Sequence, residues 1–278
     1  MARLGSLFNR GILVNLACAA LAFAVFFLGN FSYEVSLRDV QYFNGWFLAA
    51  CMVGLFLLTI RKKIVILPFG RIRMWVLLHY YLGFVTVGVF LVHTQYQLPD
   101  SALEWLLWCL FILTAVSGMF GGLLSKLVPP RLEAHGERIL FERIPMFKAQ
   151  LAGQAEELVL ESIKNGNTLS ISNLYTEILA DYFAGHRNVL AHMQSSSLPL
   201  KRLHGELDAI ERYLDPAGKT HLQQMRELVV AKDNIDFHYA NGGLMKLWLF
   251  FHIPTTYALI IAIVVHVMIA YAFSTGIA

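Results

Sequence analysis

Long apolar segments separated by short polar ones are the dominant pattern of this chain. Five segments are apolar for long enough to cross a bilayer as helices: residues 11–28, 42–60, 74–92, 102–124 and 244–273. The first follows Arg3 and Arg10, but its Ala-Cys-Ala is followed by more apolar residues, so we interpret it as an uncleaved anchor and not as a signal peptide. The pattern predicts an all-α integral membrane protein with five transmembrane helices in contact with membrane lipid.

A long polar and charged stretch, residues 125–243, separates the fourth apolar segment from the fifth. It is too long for a simple turn, and its periodicity predicts a cytoplasmic helical domain inserted between helices 4 and 5. The chain thus divides into residues 1–124, 125–243 and 244–278. Pro129-Pro130 is expected to end the fourth span. Within the domain we predict helices over residues 147–164, from Ser172 to about Met193, from Pro199, and from Pro216 toward His238, with a stop at residues 165–167 and a candidate short strand at residues 168–171.

Composition agrees with a membrane protein, and the placement of charge adds a topology. Of the 278 residues, 57% are apolar and only 15% are charged. If the N-terminus is cytoplasmic, all of the 22 Lys and Arg residues except Arg38 lie on the cytoplasmic side. The positive-inside rule then places the N-terminus inside and the C-terminus outside the inner (plasma) membrane. We find no P-loop and no Gly-x-Gly-x-x-Gly motif, and we expect no nucleic-acid partner.

Two pairs of histidines with the same spacing lie in the third and fifth apolar segments. His79 and His93 are fourteen residues apart, and so are His252 and His266. Fourteen helical residues rise roughly 21 Å and return to within about 40° of the starting direction. Each helix therefore presents two imidazoles on one face at two depths. Strongly polar side chains are costly in a bilayer, so they mark a candidate functional site.

The predicted topology makes the third and fifth spans parallel, so the histidines face each other in two pairs. His79 is then at the cytoplasmic depth of His252, and His93 is at the outer depth of His266. Two neutral imidazoles from facing helices supply both axial positions of a haem iron. A single zinc or copper site needs three or four ligands together, which a separation of roughly 21 Å along each helix does not allow. A proton relay gives no reason for the repeated spacing.

The cysteines support no covalent or cluster cofactor. Cys18, Cys51 and Cys109 each lie in a different apolar segment, and the chain has neither Cys-x-x-Cys nor Cys-x-x-Cys-His. Disulfides, iron–sulfur ligation and c-type haem attachment are therefore unsupported. The sequence predicts two non-covalent b-type haems with all four histidines as iron ligands.

The small residues near the histidines have two possible explanations. They could make room for a porphyrin, or they could let helices approach each other. Gly83 and Gly118 are the candidates for contact with a cofactor, and further small residues are Gly88, Ser117, Gly121 and Gly122. Pro254 is expected to kink the fifth helix and free the Phe250 carbonyl, with Thr255 and Thr256 able to satisfy local groups.

Anionic propionates need partners at both membrane surfaces. The cytoplasmic candidates are Arg71, Arg73, Arg131 and Lys246, each of which is also explained as a topology-setting charge. No Lys or Arg follows Arg38 on the outer side, so the outer candidates are the neutral donors Gln95, Tyr96 and Gln97, or a partner protein.

The histidine pattern resembles the haem core of cytochrome b subunits of quinol-oxidising complexes and, more loosely, other membrane di-haem cytochromes b. The resemblance rests on His79 and His93 in LLHYYLGFVTVGVFLVH and on His252 and His266 in FFHIPTTYALIIAIVVH, with one intervening antiparallel span. It covers under a third of the chain. The chain has no Pro-Glu-Trp-Tyr quinol-site motif, and the long insertion departs from that family, so quinol bifurcation is not implied.

These features predict an electron-transfer subunit of an oxidoreductase complex. It would carry electrons across the membrane between an external redox protein, such as a periplasmic cytochrome or another oxidoreductase subunit, and a quinone or a cytoplasmic partner. The alternatives are a quinol dehydrogenase with its own quinone site, a non-redox membrane scaffold or sensor, and a proton or metal transporter that uses the histidines directly. For a quinone site, Asp236, His238 and Tyr239 are the candidate proton carriers. The other histidines of the polar stretch are expected to face solvent: His135, His186, His192, His204 and His221.

Overall fold

The computed structural model describes residues 2–63, 71–134, 140–164 and 169–274, and within these ranges it is helical without strands. The helices are α1 (Ala2–Val35), α2 (Val40–Lys63), α3 (Ile72–His93), α4 (Ala102–Ala134), α5 (Ile144–Lys164), α6 (Leu169–Leu174), α7 (Ala180–Ala184), α8 (Val189–Met193), α9 (Leu198–Glu211) and α10 (Pro216–Ser274). A 3-10 turn (Phe141–Arg143) precedes α5, and a π-helical turn (Tyr175–Leu179) joins α6 to α7.

Five of these helices are long and apolar enough to cross a membrane: α1, α2, α3, α4 and α10. Each contains one of the five apolar segments found in the sequence. The all-helical class and the number of such helices are therefore confirmed. Insertion into a membrane and its orientation stay predictions.

The chain folds as two compact units that share α4 and α10. The first unit comprises Met1–Gly122 and Phe251–Ala278, and the second comprises Leu123–Phe250. Hereafter they are called the histidine unit and the inserted unit.

In the histidine unit, α3 packs against α1 and α2 through an apolar face. Val85 and Val89 are almost completely buried, and they are four residues apart on one side of α3. The Phe90 ring stacks on Phe111 of α4, with 3.8 Å between ring centroids. This apolar packing holds the two ends of α3, and with them both of its histidines, at fixed positions in the unit.

In the inserted unit, one core gathers apolar faces of α5, α6, α7, α9 and α10. Leu222, Met225 and Val229 recur at helical spacing on α10 and are at most 1% exposed. Opposite them lie Leu207 of α9 and Phe183 of α7, which are equally buried. The predicted helix over residues 147–164 is confirmed as α5, and Pro199 lies in the first turn of α9 as predicted.

The prediction that Pro129-Pro130 ends the fourth helix is wrong, because α4 continues to Ala134. Proline has a backbone φ that suits a helix, and its cost there is the missing N–H donor and the crowding of the preceding turn. The two prolines are followed by a single further turn. The helix therefore ends soon after them, although not at them.

The sequence predicted one helix ending near His238 and a separate span beginning at residue 244. This prediction is also wrong. α10 starts at Pro216, as predicted, but continues without interruption for 59 residues. Asn241 is buried, and its side-chain amide donates to the carbonyls of Phe237 and His192. At Gly242, an added Cβ would lie 3.2 Å from Cδ2 of Phe141. These two residues of α10 pack closely against other parts of the inserted unit, and they do not break the helix.

The single helix predicted from Ser172 to Met193 is broken into several pieces. Ser172 lies inside α6 and is not its cap, and the helical run ends at Ala184 before α8 begins at Val189. Asn188, with φ of 57°, adopts the left-handed conformation just before α8. The candidate strand is helical in its described part, from residue 169 onward, while Thr168 and the predicted stop at residues 165–167 lie outside the described residues.

Candidate functional site

The four histidines of the apolar segments come together as two pairs. His93 and His266 line the same cavity, and His252 lies close enough to His79 for the two groups to influence each other electrostatically. The first histidine of α3 lies near the first histidine of the apolar part of α10, and the second lies near the second. α3 and the end of α10 therefore run in the same direction. This is the pairing expected from parallel spans.

His79 is oriented by a backbone carbonyl of α2. Its Nδ1 lies 3.0 Å from the carbonyl oxygen of Leu55. A carbonyl oxygen can only accept a hydrogen bond, so Nδ1 must carry the proton. The neutral ring therefore has its lone pair on Nε2, which is the tautomer that a metal ligand needs.

His252 is oriented by a side chain of α4, the helix that carries no histidine. The Ser117 hydroxyl lies 2.7 Å from Nδ1 of His252 and donates its own proton to the Thr114 carbonyl at 2.9 Å. With the hydroxyl proton directed to Thr114, the Ser117 oxygen accepts from Nδ1–H of the imidazole, and the lone pair of His252 is then on Nε2, as in His79.

The other pair lines a cavity of about 600 Å³. His93 and His266 both face it, and its wall is mostly apolar, with Phe90, Phe111 and Leu259 among the lining side chains. A volume of this size is typical of cofactor pockets. Nδ1 of His93 is buried and makes no hydrogen bond within the described residues, although the Gln41 carbonyl lies close to the same ring.

Gly45 of α2 is a contact that the sequence did not reveal. A Cβ at this position would lie 3.2 Å from Cε1 of His93, so the bare backbone lets the ring approach α2. The only hint in the sequence is a glycine within an apolar helix, which by itself more often indicates helix packing.

The neutral side chains predicted as propionate partners on the outer side differ in their position relative to the cavity. Gln95 and Gln97 line the cavity, whereas Tyr96 does not and is 74% exposed. The expectation for Tyr96 is therefore wrong, because the turn after α3 directs its ring to the surface. Glu104 also lines the cavity and accepts hydrogen bonds from the backbone N–H groups of Asp100 and Ser101, as in a capping box at the start of α4.

The predicted cofactor glycines differ in what surrounds them. A Cβ at Gly118 would lie 3.5 Å from Cε1 of His252, which places Gly118 beside an imidazole. A Cβ at Gly83, one turn after His79, would meet nothing within 4 Å, so this position borders open space. By contrast, Gly88 and Gly122 face the aromatic rings of Phe23 and Tyr80, and there the packing explanation holds.

The cationic candidates for propionates also differ. Arg71 and Arg73 are exposed at the start of α3, in the same unit as the histidines. In the inserted unit, Arg131 donates to the Met193 carbonyl. Lys246 pairs with Glu142 at 2.6 Å, and this hydrogen bond lowers the pKa of the Glu142 carboxyl.

The threonines after Pro254 donate to nearby backbone carbonyls, as expected. Thr255 donates to the carbonyls of Phe251 and His252, and Thr256 donates to that of His252. α10 continues through Pro254. The residues thus hold the backbone of His252 in place, two residues before the proline.

A buried polar cluster in the inserted unit involves the residues considered for quinone chemistry. Asp236 is fully buried, pairs with Lys232 at 2.5 Å, and accepts from the His186 ring and the Arg187 N–H. Tyr239 stacks on His186, with 3.7 Å between ring centroids. The carboxylate is thus fully engaged in holding the segment before α8 to α10, which speaks against a role as an open proton carrier.

The expectation that the remaining histidines face solvent is wrong for His192, whereas three others are partly exposed. His192 is only 4% exposed, and its Nε2 lies 3.6 Å from the Asp233 carboxylate. His186, His204 and His221 are half-buried, and His135 lies outside the described residues. In a helical unit of this size, imidazoles pack between helices as readily as they face water.

Comparison with known proteins adds no relative. No protein-family profile, no curated protein and no solved structure matches this chain. Within the described ranges, no three His, Cys, Asp or Glu side chains converge in a group able to hold a metal ion. Function must therefore be argued from the two histidine pairs.

Proposed function

We propose that this chain is a membrane di-haem cytochrome b, in which His79 and His252 bind one haem iron and His93 and His266 bind a second. The observation that carries the proposal is the approach of imidazoles from two parallel helices in two pairs: His93 and His266 line one cavity, and His79 lies near His252. Bis-imidazole ligation needs two facing rings and no further protein ligand.

The hydrogen bonds of the first pair support the same conclusion. Leu55 and Ser117 each accept from an Nδ1–H group, so both rings direct a basic Nε2 toward a metal. Ligating histidines commonly donate their other N–H to a carbonyl or similar acceptor.

The cavity supports the proposal for the second pair. His93 and His266 face a largely apolar space of about 600 Å³, which suits a macrocycle. Gln95 and Gln97 at its edge provide neutral donors for anionic groups. The same edge carries the Glu104 carboxylate, which the capping box at the start of α4 already engages.

When bound, each haem would supply a one-electron iron couple. His79 and His252 would hold one haem and His93 and His266 the other, and fourteen residues, roughly 21 Å of helix, separate the two ligand positions on each helix. The proposed role is electron transfer across the membrane between an external redox protein and a quinone or cytoplasmic partner. The inserted unit is proposed as the surface for a partner subunit.

Haem stoichiometry tests the proposal. The purified chain should contain two haems, all extractable with acid acetone, and should show a b-type absorption spectrum. A non-redox scaffold or a histidine-based transporter would contain none. A ratio near one would leave one histidine pair to another role.

Histidine variants then assign each haem. His79→Ala and His252→Ala should each remove one haem and leave the other, whereas His93→Ala and His266→Ala should remove the second. His221→Ala, in the inserted unit, is the matched control and should leave both haems. Loss of the same haem in His79→Ala and His266→Ala would contradict the parallel pairing.

A further inference from the structure

Ser117 is placed to do more than fill space in α4. Ser117 is 8% exposed and lies in α4, which carries no histidine, within hydrogen-bond distance of His252. Gly118 follows it, and the absence of a Cβ there leaves 3.5 Å to Cε1 of the same imidazole. The two residues together form a seat for the ring of His252.

The direction of the hydrogen bond decides what this seat does. Ser117 donates to the Thr114 carbonyl at 2.9 Å, and this contact holds its oxygen with a lone pair toward Nδ1 of His252 at 2.7 Å. In this arrangement, which Nε2 ligation to a metal also requires, the imidazole donates from Nδ1. An imidazole that donates from Nδ1 is a stronger electron donor through Nε2.

We infer that Ser117 is a positioning residue that tunes the haem held by His79 and His252 and leaves the other haem unaffected. The inference rests on the proposed function. It assigns α4 a part in that function, although α4 contributes no iron ligand. Stronger donation from His252 stabilises the ferric iron and lowers the midpoint potential of this haem.

The second pair of histidines has no equivalent side-chain acceptor among the described residues. The acceptor for His79 is a backbone carbonyl, which a side-chain substitution does not remove. Nδ1 of His93 makes no hydrogen bond within the described residues. Ser117 is therefore the side chain through which one haem can be changed separately from the other.

The test is a redox titration of Ser117→Ala in the full chain. To observe one haem at a time, the substitution is combined with His266→Ala, which should retain only the haem of His79 and His252. Loss of the acceptor should raise its midpoint potential by about 59 mV, the equivalent of a tenfold change for a one-electron couple. Combined with His79→Ala, the same substitution should leave the remaining haem unchanged.

Two further variants separate tuning from a general structural effect. Ser117→Thr keeps the hydroxyl and should retain the wild-type potential. Ser32→Ala removes a hydroxyl that donates to the Leu28 carbonyl in α1 without contacting a histidine, and it should have no effect. If Ser117→Ala does not accumulate, Ser117→Cys, a weak acceptor, should give a smaller shift in the same direction.

The outcomes are distinguishable. A wild-type chain without haem overturns the proposed function itself. A chain with two haems whose potentials are both unchanged by Ser117→Ala, or both shifted by it, overturns only the role of Ser117. A downward shift would also overturn it, because loss of a hydrogen-bond acceptor cannot strengthen donation from His252.

Discussion

A missing side chain at Gly45 determines how closely α2 approaches the imidazole of His93. The nearest ring atom, Cε1, would lie 3.2 Å from a Cβ at this position. α2 carries no histidine, and nothing in its sequence indicates which of its faces meets α3. Contacts of this kind depend on helix rotation, which apolar periodicity alone does not determine in a membrane helix.

We expect Gly45→Ala to disturb the haem that we propose for His93 and His266 and to leave the other proposed haem unchanged. The added methyl group forces the His93 ring to shift by a few tenths of an ångström. A reductive titration that resolves the two haems measures the effect, and the unaffected haem is the internal control. Gly153→Ala, where a Cβ meets nothing within 4 Å, controls for the substitution itself. A change at the wrong haem would contradict the assignment.

Tyr182 is a buried phenol in a charged environment. Its hydroxyl donates to the Val229 carbonyl at 3.3 Å, and Nζ of Lys232 lies 4.8 Å from the ring centroid. Burial, with smaller contributions from the carboxylates of Asp233 and Asp236, raises the pKa of Tyr182 far above its ordinary value of 10.0. The folded state therefore retains this proton at a pH where the unfolded chain has lost it.

The stability contributed by the Tyr182 proton should disappear at alkaline pH. Below pH 10, Tyr182→Phe should be less stable than wild type by about 0.5–1.5 kcal/mol, the net worth of one hydrogen bond. Above pH 10, the unfolded wild-type chain binds fewer protons than the folded one, so wild-type stability falls and the difference shrinks. Thermal unfolding followed by circular dichroism at pH 8 and pH 11 measures it. Tyr213→Phe, at an exposed position, is the control, and a difference independent of pH would contradict the prediction.

At the scale of elements, α10 shows why a helix cannot be bounded from local signals alone. Asn-Gly-Gly at residues 241–243 is a common stop signal, yet the helix passes through it. The side chain of Asn241 bonds within the unit, and Phe141 packs over Gly242, stacked in turn on Tyr239. Tertiary contacts thus outweigh the low helix propensity of glycine, which destabilises a helix by about 1 kcal/mol per residue relative to alanine.

The two adjacent glycines should respond differently to alanine. At Gly243 a Cβ would lie 3.8 Å from Phe141, an ordinary contact, so Gly243→Ala should raise stability by about 0.5–1 kcal/mol through helix propensity. At Gly242 the distance is 3.2 Å, and the stacked ring has little room to move. Gly242→Ala should therefore gain nothing or lose stability. Paired thermal unfolding curves compare the two, and equal effects would contradict the packing explanation.

For the whole molecule, the sequence predicted what depends on long-range averages and missed what depends on individual contacts. Five apolar segments are enough to predict five long helices, because bilayer thickness requires that length. The fourteen-residue spacing, with the distribution of charge, was enough to propose the pairs. The acceptors Leu55 and Ser117, and the close approach of Gly45, depend on helix rotation and could not be predicted from periodicity.

The orientation of the chain in the membrane is the last prediction. Since all Lys and Arg residues except Arg38 would lie on the cytoplasmic side, we expect the loop between α3 and α4 and the C-terminus to be outside and the inserted unit to be inside. Reporter insertions after Tyr96 and after Tyr213, both well exposed, should be active only outside and only inside, respectively. A C-terminal fusion should behave like the insertion after Tyr96. The reverse pattern would exchange the sides of the two proposed haems but would leave the pairing of their ligands intact, because the pairing depends only on the parallel direction of α3 and α10.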